Sequence, residues 1–379
     1  MRRARRQHLP PNPLKLTDFD ELPTRYRKTL LGETFLMHDS GPPNTDSDTE
    51  SDDEDGDTGR VLVFATRRNI DLLCESSIWF LNGTFKTSPA IFCQIFTILG
   101  LRRRNIEGGE GVPVPLVYAL LSKKTQAQYA EVLQVVKSAV RDYRIQHCVP
   151  TKIMTDFEVS IINACAEVFP NVPTSACFFH LGQSAYRRIQ MDGLQVAYTN
   201  PDDRSLKDFL HTILALAFVP VADVPRAFDK LRRECPPSIV GFMDYFSSTY
   251  VKGRPQRGRR RAVAPRYAVP LWNQYNAALQ KSHRTNNASE GWHNRFRIVV
   301  GKHHPDLYAA VTELQREQAF TESCIAELAL GKLVKTAPRT KWLELQNRIQ
   351  GITAQYNAYK ARGEEVDYLR TIGHNIVLT

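Results

Sequence analysis

Asn82, Asp156 and Glu290 are the positions in this sequence whose residue types and surroundings point most directly to chemistry. Asn82 follows the apolar run IWFL, and Asp156 follows KIMT, so each closes a predicted core strand with an oxygen donor. Carboxylates held rigidly at strand ends can share a divalent metal. An Asp between a strand and a helix also serves as a helix N-cap, and the local pattern leaves both readings of Asp156 open. Glu290 lies in KSHRTNNASEGWHNRF, residues 281–296, where Thr285, Asn286 and Asn287 can cap a helix with Trp292 and Phe296 facing a core. A capped helix needs neither two consecutive Asn nor His293. Those groups crowd metal- or phosphate-compatible atoms around one carboxylate. Cys177 and His180 form a Cys-x-x-His pair in the predicted strand SACFFHLG (175–182). No second CxxC or HxxxH stands at zinc-site spacing, so a core thiol and a strand-end histidine near an active face are expected.

A second group of residues points to a polyanion. Between Tyr245 and Ser289 there is no acid, while Lys252, Arg254, Arg257, Arg259, Arg260, Arg261, Arg266, Lys281 and Arg284 supply positive charge. Tyr250, Tyr267, Trp272 and Tyr275 are interleaved. Arginines with flexible Gly/Pro spacing and aromatics suit phosphate contacts and base stacking. A nuclear import signal is the competing reading of RGRRR.

These residues need a scaffold, and the chain is long enough to supply one. It has 379 residues, 42% of them hydrophobic and 24% charged, which allows one large domain with additions or two modest domains. The net charge of +10 understates the basicity of the folded part. Residues 1–59 hold 8 bases and 13 acids, leaving 42 bases against 27 acids and a net +15 on residues 60–379. Nucleic acid is favoured over a membrane, since no apolar run is long enough to span a bilayer and no lipidation signal or secretory leader is present. Seven cysteines at scattered spacings predict reduced structural thiols rather than a disulfide framework.

Residues 39–59 contain nine acids and no base and read as a disordered acidic loop. A strand and an amphipathic helix follow in RVLVFATRRNIDLLCES. Three apolar strands then come in succession, the last two separated by NIEGGEG, which implies an antiparallel meander. TQAQYAEVLQVVKSAVRDY (125–143) is a helix behind a Thr125 cap, TKIMTD is a strand leading into the helix EVSIINACAEVF, and SACFFHLG completes the series. Helices enter only after the third strand of this βββαβαβ core, which favours a mixed sheet over a doubly wound parallel one. Strand propensity then nearly vanishes. No solenoid repeat is present. The predicted organisation is an N-terminal arm (1–38), the acidic loop (39–59), the first part of the core (60–182), a helical insertion with the basic stretch (183–284), a core helix carrying Glu290 (285–300) and a helical C-terminal region (301–379).

Taken together, WFLNGTFKTSP, VPLVYALLSKKTQAQY, IMTDFEVSIINA, CFFHLGQ and RTNNASEGWHNRF, in that order, resemble the Mutator-like element (MULE) transposases over residues 60–300. The resemblance implies an α/β, ribonuclease-H-like mixed five-stranded sheet flanked by helices, interrupted by an all-helical insertion and followed by a helical tail. It implies DNA cleavage and strand transfer by an Asp-Asp-Glu triad with two Mg²⁺ or Mn²⁺ ions, and nuclear action on DNA, often as an oligomer. Asp156 matches the second acid and Glu290 the third, both as metal ligands. Cys177 and His180 match an accessory Cys-x-x-His motif, with Asn286, Asn287 and His293 beside the third acid. This chain departs from the pattern at the first position, where Asn82-Gly83-Thr84-Phe85 stands in place of Asp-Gly-Thr-Phe. An amide there predicts weakened metal binding and impaired cleavage, or an inactive, transposon-derived DNA-binding protein. Glu158 is a nearby acid that could substitute. The zinc-binding DNA-recognition module common in the family is not visible in the first 60 residues, which contain no cysteine.

Overall fold

The structure, a computed structural model, describes residues 11–43, 59–103, 111–256, 258, 261–332 and 340–377. The chain divides into two compact units, Met1–Thr174 with Asn287–Thr336, and Ser175–Asn286 with Ala337–Thr379.

Seven strands form one mixed sheet among the described residues, rather than the five expected. In chain order the elements are β1 (Leu36–Asp39), β2 (Val61–Phe64), α1 (Arg67–Cys74), β3 (Ile78–Thr84), β4 (Gln94–Arg103), β5 (Gly111–Leu121), α2 (Gln126–Asp142), β6 (Lys152–Thr155), α3 (Val159–Val168) and β7 (Thr174–Ala176). Their order across the sheet is β1-β2-β5-β4-β3-β6-β7. The meander β3-β4-β5 is antiparallel, as the turn chemistry predicts, and β6 runs parallel to β3. The two extra strands, β1 and β2, extend the sheet beyond β5. Pro113 and Pro115 are tolerated in β5 because β2 reaches only Tyr118–Leu121, so the proline-bearing part has β4 alone beside it.

Arg60 explains why the acidic segment does not begin at residue 39. Its guanidinium is fully buried, makes two bonds to the Asp39 carboxylate at 2.7 and 2.8 Å, and donates to the carbonyls of Leu16, Phe19 and Asp20. Asp39 is therefore the end of β1, while residues 44–58 of the predicted acidic loop lie outside the described residues.

Alternation along the strands separates two apolar layers. Trp79, Leu81 and Ile153 face one layer with residues of α1, α2 and α3. Ile78, Phe80 and Met154 face the other. The Thr125 hydroxyl caps α2 by accepting the Gln128 N–H.

The expectation of reduced cysteines is corrected at one pair. Cys74, the last residue of α1, is joined to Cys148, with a sequence separation of 74 that hid the pairing. Ser77 and Thr151, just beyond each cysteine, are tied by a backbone bond of 2.8 Å, which shows why the two chain segments meet. The predicted strand over 175–182 is also corrected. β7 ends at Ala176 and a helix starts at Phe178.

The second unit is helical. It begins with α4 (Phe178–Met191), α5 (Gln195–Thr199), α6 (Ser205–Leu214), α7 (Val224–Arg233), α8 (Val240–Phe246), α9 (Val269–Trp272) and α10 (Tyr275–Leu279). The chain then returns to the first unit with α11 (Asn287–Val300) and α12 (Leu307–Ala329). It finishes in the second with α13 (Thr340–Ala354), α14 (Tyr356–Arg362) and α15 (Glu365–Gly373). There α15 packs closely on α6: a Cβ on Gly373 would stand 3.0 Å from the Thr212 nitrogen.

Candidate active site

Asn82 lies inside β3 rather than at its end. Continued pairing of Asn82, Gly83 and Thr84 with Thr97, Phe96 and Ile95 of β4 keeps the chain extended past the apolar run. Phe80 is paired with Met154 across the parallel β3-β6 ladder. The ladder ends at this pair, and Asn82 and Asp156 each lie two residues beyond it, Asn82 still within β3 and Asp156 just past the end of β6. Period-two alternation within β3 puts Asn82 on the face of Phe80. Asn82 is buried, and its side-chain Oδ1 accepts the Gly83 N–H at 2.7 Å. Asp156 is half-buried just beyond β6. It does not hold the N-cap of the next helix, a position taken by Glu158.

The same face is covered by α11. Trp292 and Phe296, one turn apart and stacked with ring centroids 4.9 Å apart, pack into the layer that holds Phe80 and Met154. Glu290 is in the first turn of α11, half-buried, and His293 follows it by one turn. His293 Nε2 lies 3.4 Å from Thr97 Oγ1, and Thr97 is the β4 partner of Asn82. The Thr97 hydroxyl donates to the Asn82 carbonyl at 3.3 Å. With that proton directed to the Asn82 carbonyl, the Thr97 oxygen is left to accept from Nε2 of His293. Burial pushes the imidazole down to about 4, which keeps this ring neutral near pH 7. Strand β3 and helix α11 are thus coupled through Thr97, a residue the sequence reading missed. A polar residue inside the apolar run IFTIL, on the face shared with Ile95 and Leu99, was the available signal.

Glu158 is engaged beside the site. Its Oε1 accepts the Tyr129 hydroxyl at 2.5 Å, and Oε2 pairs with Lys124 Nζ at 3.4 Å. The Tyr129 oxygen in turn accepts from Gln94 Nε2. Burial first, and then the Glu158 charge, raise the Tyr129 phenol above its ordinary value. Gln94 lies flat against β3 because residue 83 is glycine; a Cβ there would sit 2.1 Å from Gln94 Oε1. Sequence patterning gave no sign of this chain of bonds.

In the second unit, Cys177 occupies the N-cap position of α4 rather than a strand end, and its buried Sγ accepts the Asn286 N–H at 3.1 Å. The Phe178 N–H likewise bonds the Arg284 carbonyl at 3.0 Å. The start of α4 is therefore stitched to the residues that lead into α11. His180 is in the first turn of α4, half-buried. Asn286 is fully buried, and Asn287 is exposed as the first residue of α11.

The basic stretch is less free than its composition suggests. Lys252 pairs with Asp229 at 2.5 Å, and Arg254 joins Val263 through a backbone bridge. Arg266 lies over Tyr267 at 5.5 Å, and Arg261 and Lys281 are exposed. Arg284, half-buried against Gln346 and 5.5 Å from the Phe218 ring, is lowered by burial to about 10. Arg257, Arg259 and Arg260 lie outside the described residues. The expectation that the interleaved aromatics stack on bases is corrected. Tyr250, Tyr267 and Trp272 are buried, and the Trp272 indole donates to the Tyr250 and Tyr267 carbonyls. Tyr275 is half-buried against Tyr356. They are a core, with Tyr250 and Tyr267 stacked at 5.5 Å.

Residues 78–184 match the family model described as the MULE transposase domain. The chain carries a MULE transposase domain. The matched segment runs from the start of β3 into α4 and includes Asn82, Asp156, Cys177 and His180, stopping before α11 and Glu290. No curated protein matches the chain. Among the described residues no group of three or more His, Cys, Asp or Glu side chains is arranged to hold a metal ion, and no helix is long and apolar enough to cross a membrane.

Proposed function

We propose that this chain is a transposase-type protein that acts on DNA through a ribonuclease-H-like core whose phosphodiester chemistry is impaired at Asn82. The observation that carries the reading is the parallel β3-β6 register, which ends at Phe80–Met154, two residues before Asn82 and Asp156, in the apolar layer to which the helix bearing Glu290 contributes Trp292 and Phe296. The strand order supports the fold assignment. Renumbered from β3, the strands β5-β4-β3-β6-β7 stand in the order 3-2-1-4-5, with the first three antiparallel and the fourth parallel to the first.

The donor set suits a hard divalent cation, which prefers oxygen ligands. Asp156 and Glu290 would supply carboxylates, and Asn82 an amide carbonyl that already accepts the Gly83 N–H. With two anionic ligands instead of three, the set fits one weakly held cation better than a pair. A bound Mg²⁺ or Mn²⁺ would supply phosphoryl polarisation and an ionised water. The protein's own contribution is to hold the two carboxylates on rigid elements and, through the amide, to reduce repulsion against a DNA phosphate. That lower repulsion favours the second reading, a protein that retains DNA without cutting it.

The same proposal has the protein act in the nucleus, with the Arg-rich segment near residue 257 as the import signal; deleting it should leave a tagged chain cytoplasmic. Association with further copies is part of the same proposal, and a mass change on DNA binding tests it.

Nicking of supercoiled DNA in Mg²⁺ or Mn²⁺ tests the functional reading. Weak or absent cleavage by the wild type, clear cleavage by Asn82→Asp, and loss of that gain in Asn82→Asp/Glu290→Ala are expected. Silence in all three, with DNA still bound, shifts the function to DNA retention alone.

A further inference from the structure

A large apolar ring held in solvent costs hydration and contributes little to the core; Phe320 and Trp342 are such rings, and so is Phe85. It follows the last residue of β3, is 41% exposed, and stands three residues beyond Asn82. The turn that carries it is tightly tied. Ser88 N–H bonds the Phe85 carbonyl at 3.1 Å, Ser88 Oγ donates to the Phe92 carbonyl, and the Lys86 carbonyl accepts the His304 N–H at 3.0 Å. The ring is therefore presented on a fixed turn.

Its surroundings are cationic. Lys124 Nζ lies 4.4 Å from the ring centroid, anchored on its other side by Glu158. Lys86, next to Phe85 in the chain, is exposed and makes no ion pair among the described residues. An exposed aromatic ring with an ammonium over one face and another beside it suits single-stranded nucleic acid, because each base offers a π face to the ring's other side and each nucleotide a phosphate. In a duplex the base faces are covered by their neighbours. In the basic stretch Tyr250, Tyr267 and Trp272 are buried, and Tyr275 is packed against Tyr356.

We propose that Phe85, with Lys86 and Lys124, is a stacking platform for one unpaired base of single-stranded DNA entering the site at the end of β3. This deepens, and rests on, the reading that the site acts on DNA. The ring takes the base, and the two lysines take its flanking phosphates.

The test uses the full chain and a fluorescein-labelled single-stranded DNA oligonucleotide, with a second oligonucleotide carrying 2-aminopurine, whose fluorescence falls on stacking. Phe85→Ala is expected to weaken binding roughly 5- to 150-fold and to remove the quenching of 2-aminopurine. Phe85→Trp should restore both, and Phe85→Leu, apolar but without a π face, should restore neither. Lys86→Ala should lower the slope of log K against log salt by about 0.7. Unchanged affinity and quenching in Phe85→Ala would overturn the platform while leaving the DNA reading intact. Failure of the wild type to bind single-stranded or duplex DNA would overturn both. An unchanged thermal midpoint in Phe85→Ala shows that the fold is retained.

Discussion

His293 reaches across from α11 to Thr97, with Nε2 and Oγ1 3.4 Å apart, at the β4 residue that faces Asn82. Burial holds the imidazole down to about 4 against an ordinary value near 6.5, so the ring that makes this contact is neutral near pH 7.

The sign of the resulting pH dependence follows from linkage. Between about pH 6.5 and 4 the unfolded chain binds a proton at His293 that the folded chain does not. The stability this group contributes is therefore complete above pH 6.5 and is lost as pH falls toward 4. The loss is on the order of 2–3 kcal/mol, taken as an upper range. Urea unfolding at pH 7 and pH 4.5 should show a smaller drop for His293→Gln than for wild type. Equal drops would mean that His293 titrates normally in the folded protein.

Arg60 is predicted to be the costliest single residue to remove outside the site. Its buried guanidinium neutralises Asp39 and satisfies three carbonyls of the N-terminal segment, with the Phe19 ring 3.9 Å away. Arg60→Ala leaves Asp39 unpaired and should cost about 3–5 kcal/mol. Arg60→Lys should recover little, since one ammonium cannot reproduce the planar fork. A loss below about 1 kcal/mol in denaturant melts would contradict this role.

The Cys74–Cys148 bond closes a long loop and should stabilise the first unit by about 2–4 kcal/mol. Thiol titration of the chain unfolded without reductant should find Cys93, Cys165, Cys177, Cys235 and Cys324, and reductant should add the two others. Seven reactive thiols without reductant would show the bond unformed. In a reducing compartment the bond would open, and the reduced protein's stability would be the relevant one.

Local pattern made much of the first unit readable. The meander, the Thr125-capped helix, and the Trp292 and Phe296 stripe of α11 all follow from periodicity and turn chemistry, because their apolar residues recur at strand or helix spacing. β1 was hidden because it is four residues long and its last member, Asp39, reads as part of an acidic tract until Arg60 is seen to neutralise it. The disulfide was hidden by sequence distance. At the site, the sequence offered Asn82, Asp156, Glu290 and His293 but not what links them. Thr97 and the chain from Gln94 through Tyr129 to Glu158 depend on strand register and on which face each side chain takes. The basic stretch misled in one respect. Interleaved aromatics look the same in a sequence whether they face solvent or, like Tyr250 and Trp272, form a core.

Whether Asn82, Asp156 and Glu290 act as one cation site is tested most directly by Mn²⁺ binding, followed by electron paramagnetic resonance on the full chain without DNA. Two unit charges about 4 Å apart at an effective dielectric near 20 attract by about 4 kcal/mol, so one added carboxylate should strengthen binding at least about tenfold even after heavy discounting. The account predicts weak binding by wild type, tighter binding by Asn82→Asp, and loss of that gain when Asp156→Asn or Glu290→Ala is added. Equal affinity in wild type and Asn82→Asp, or a gain that survives both added substitutions, would contradict it.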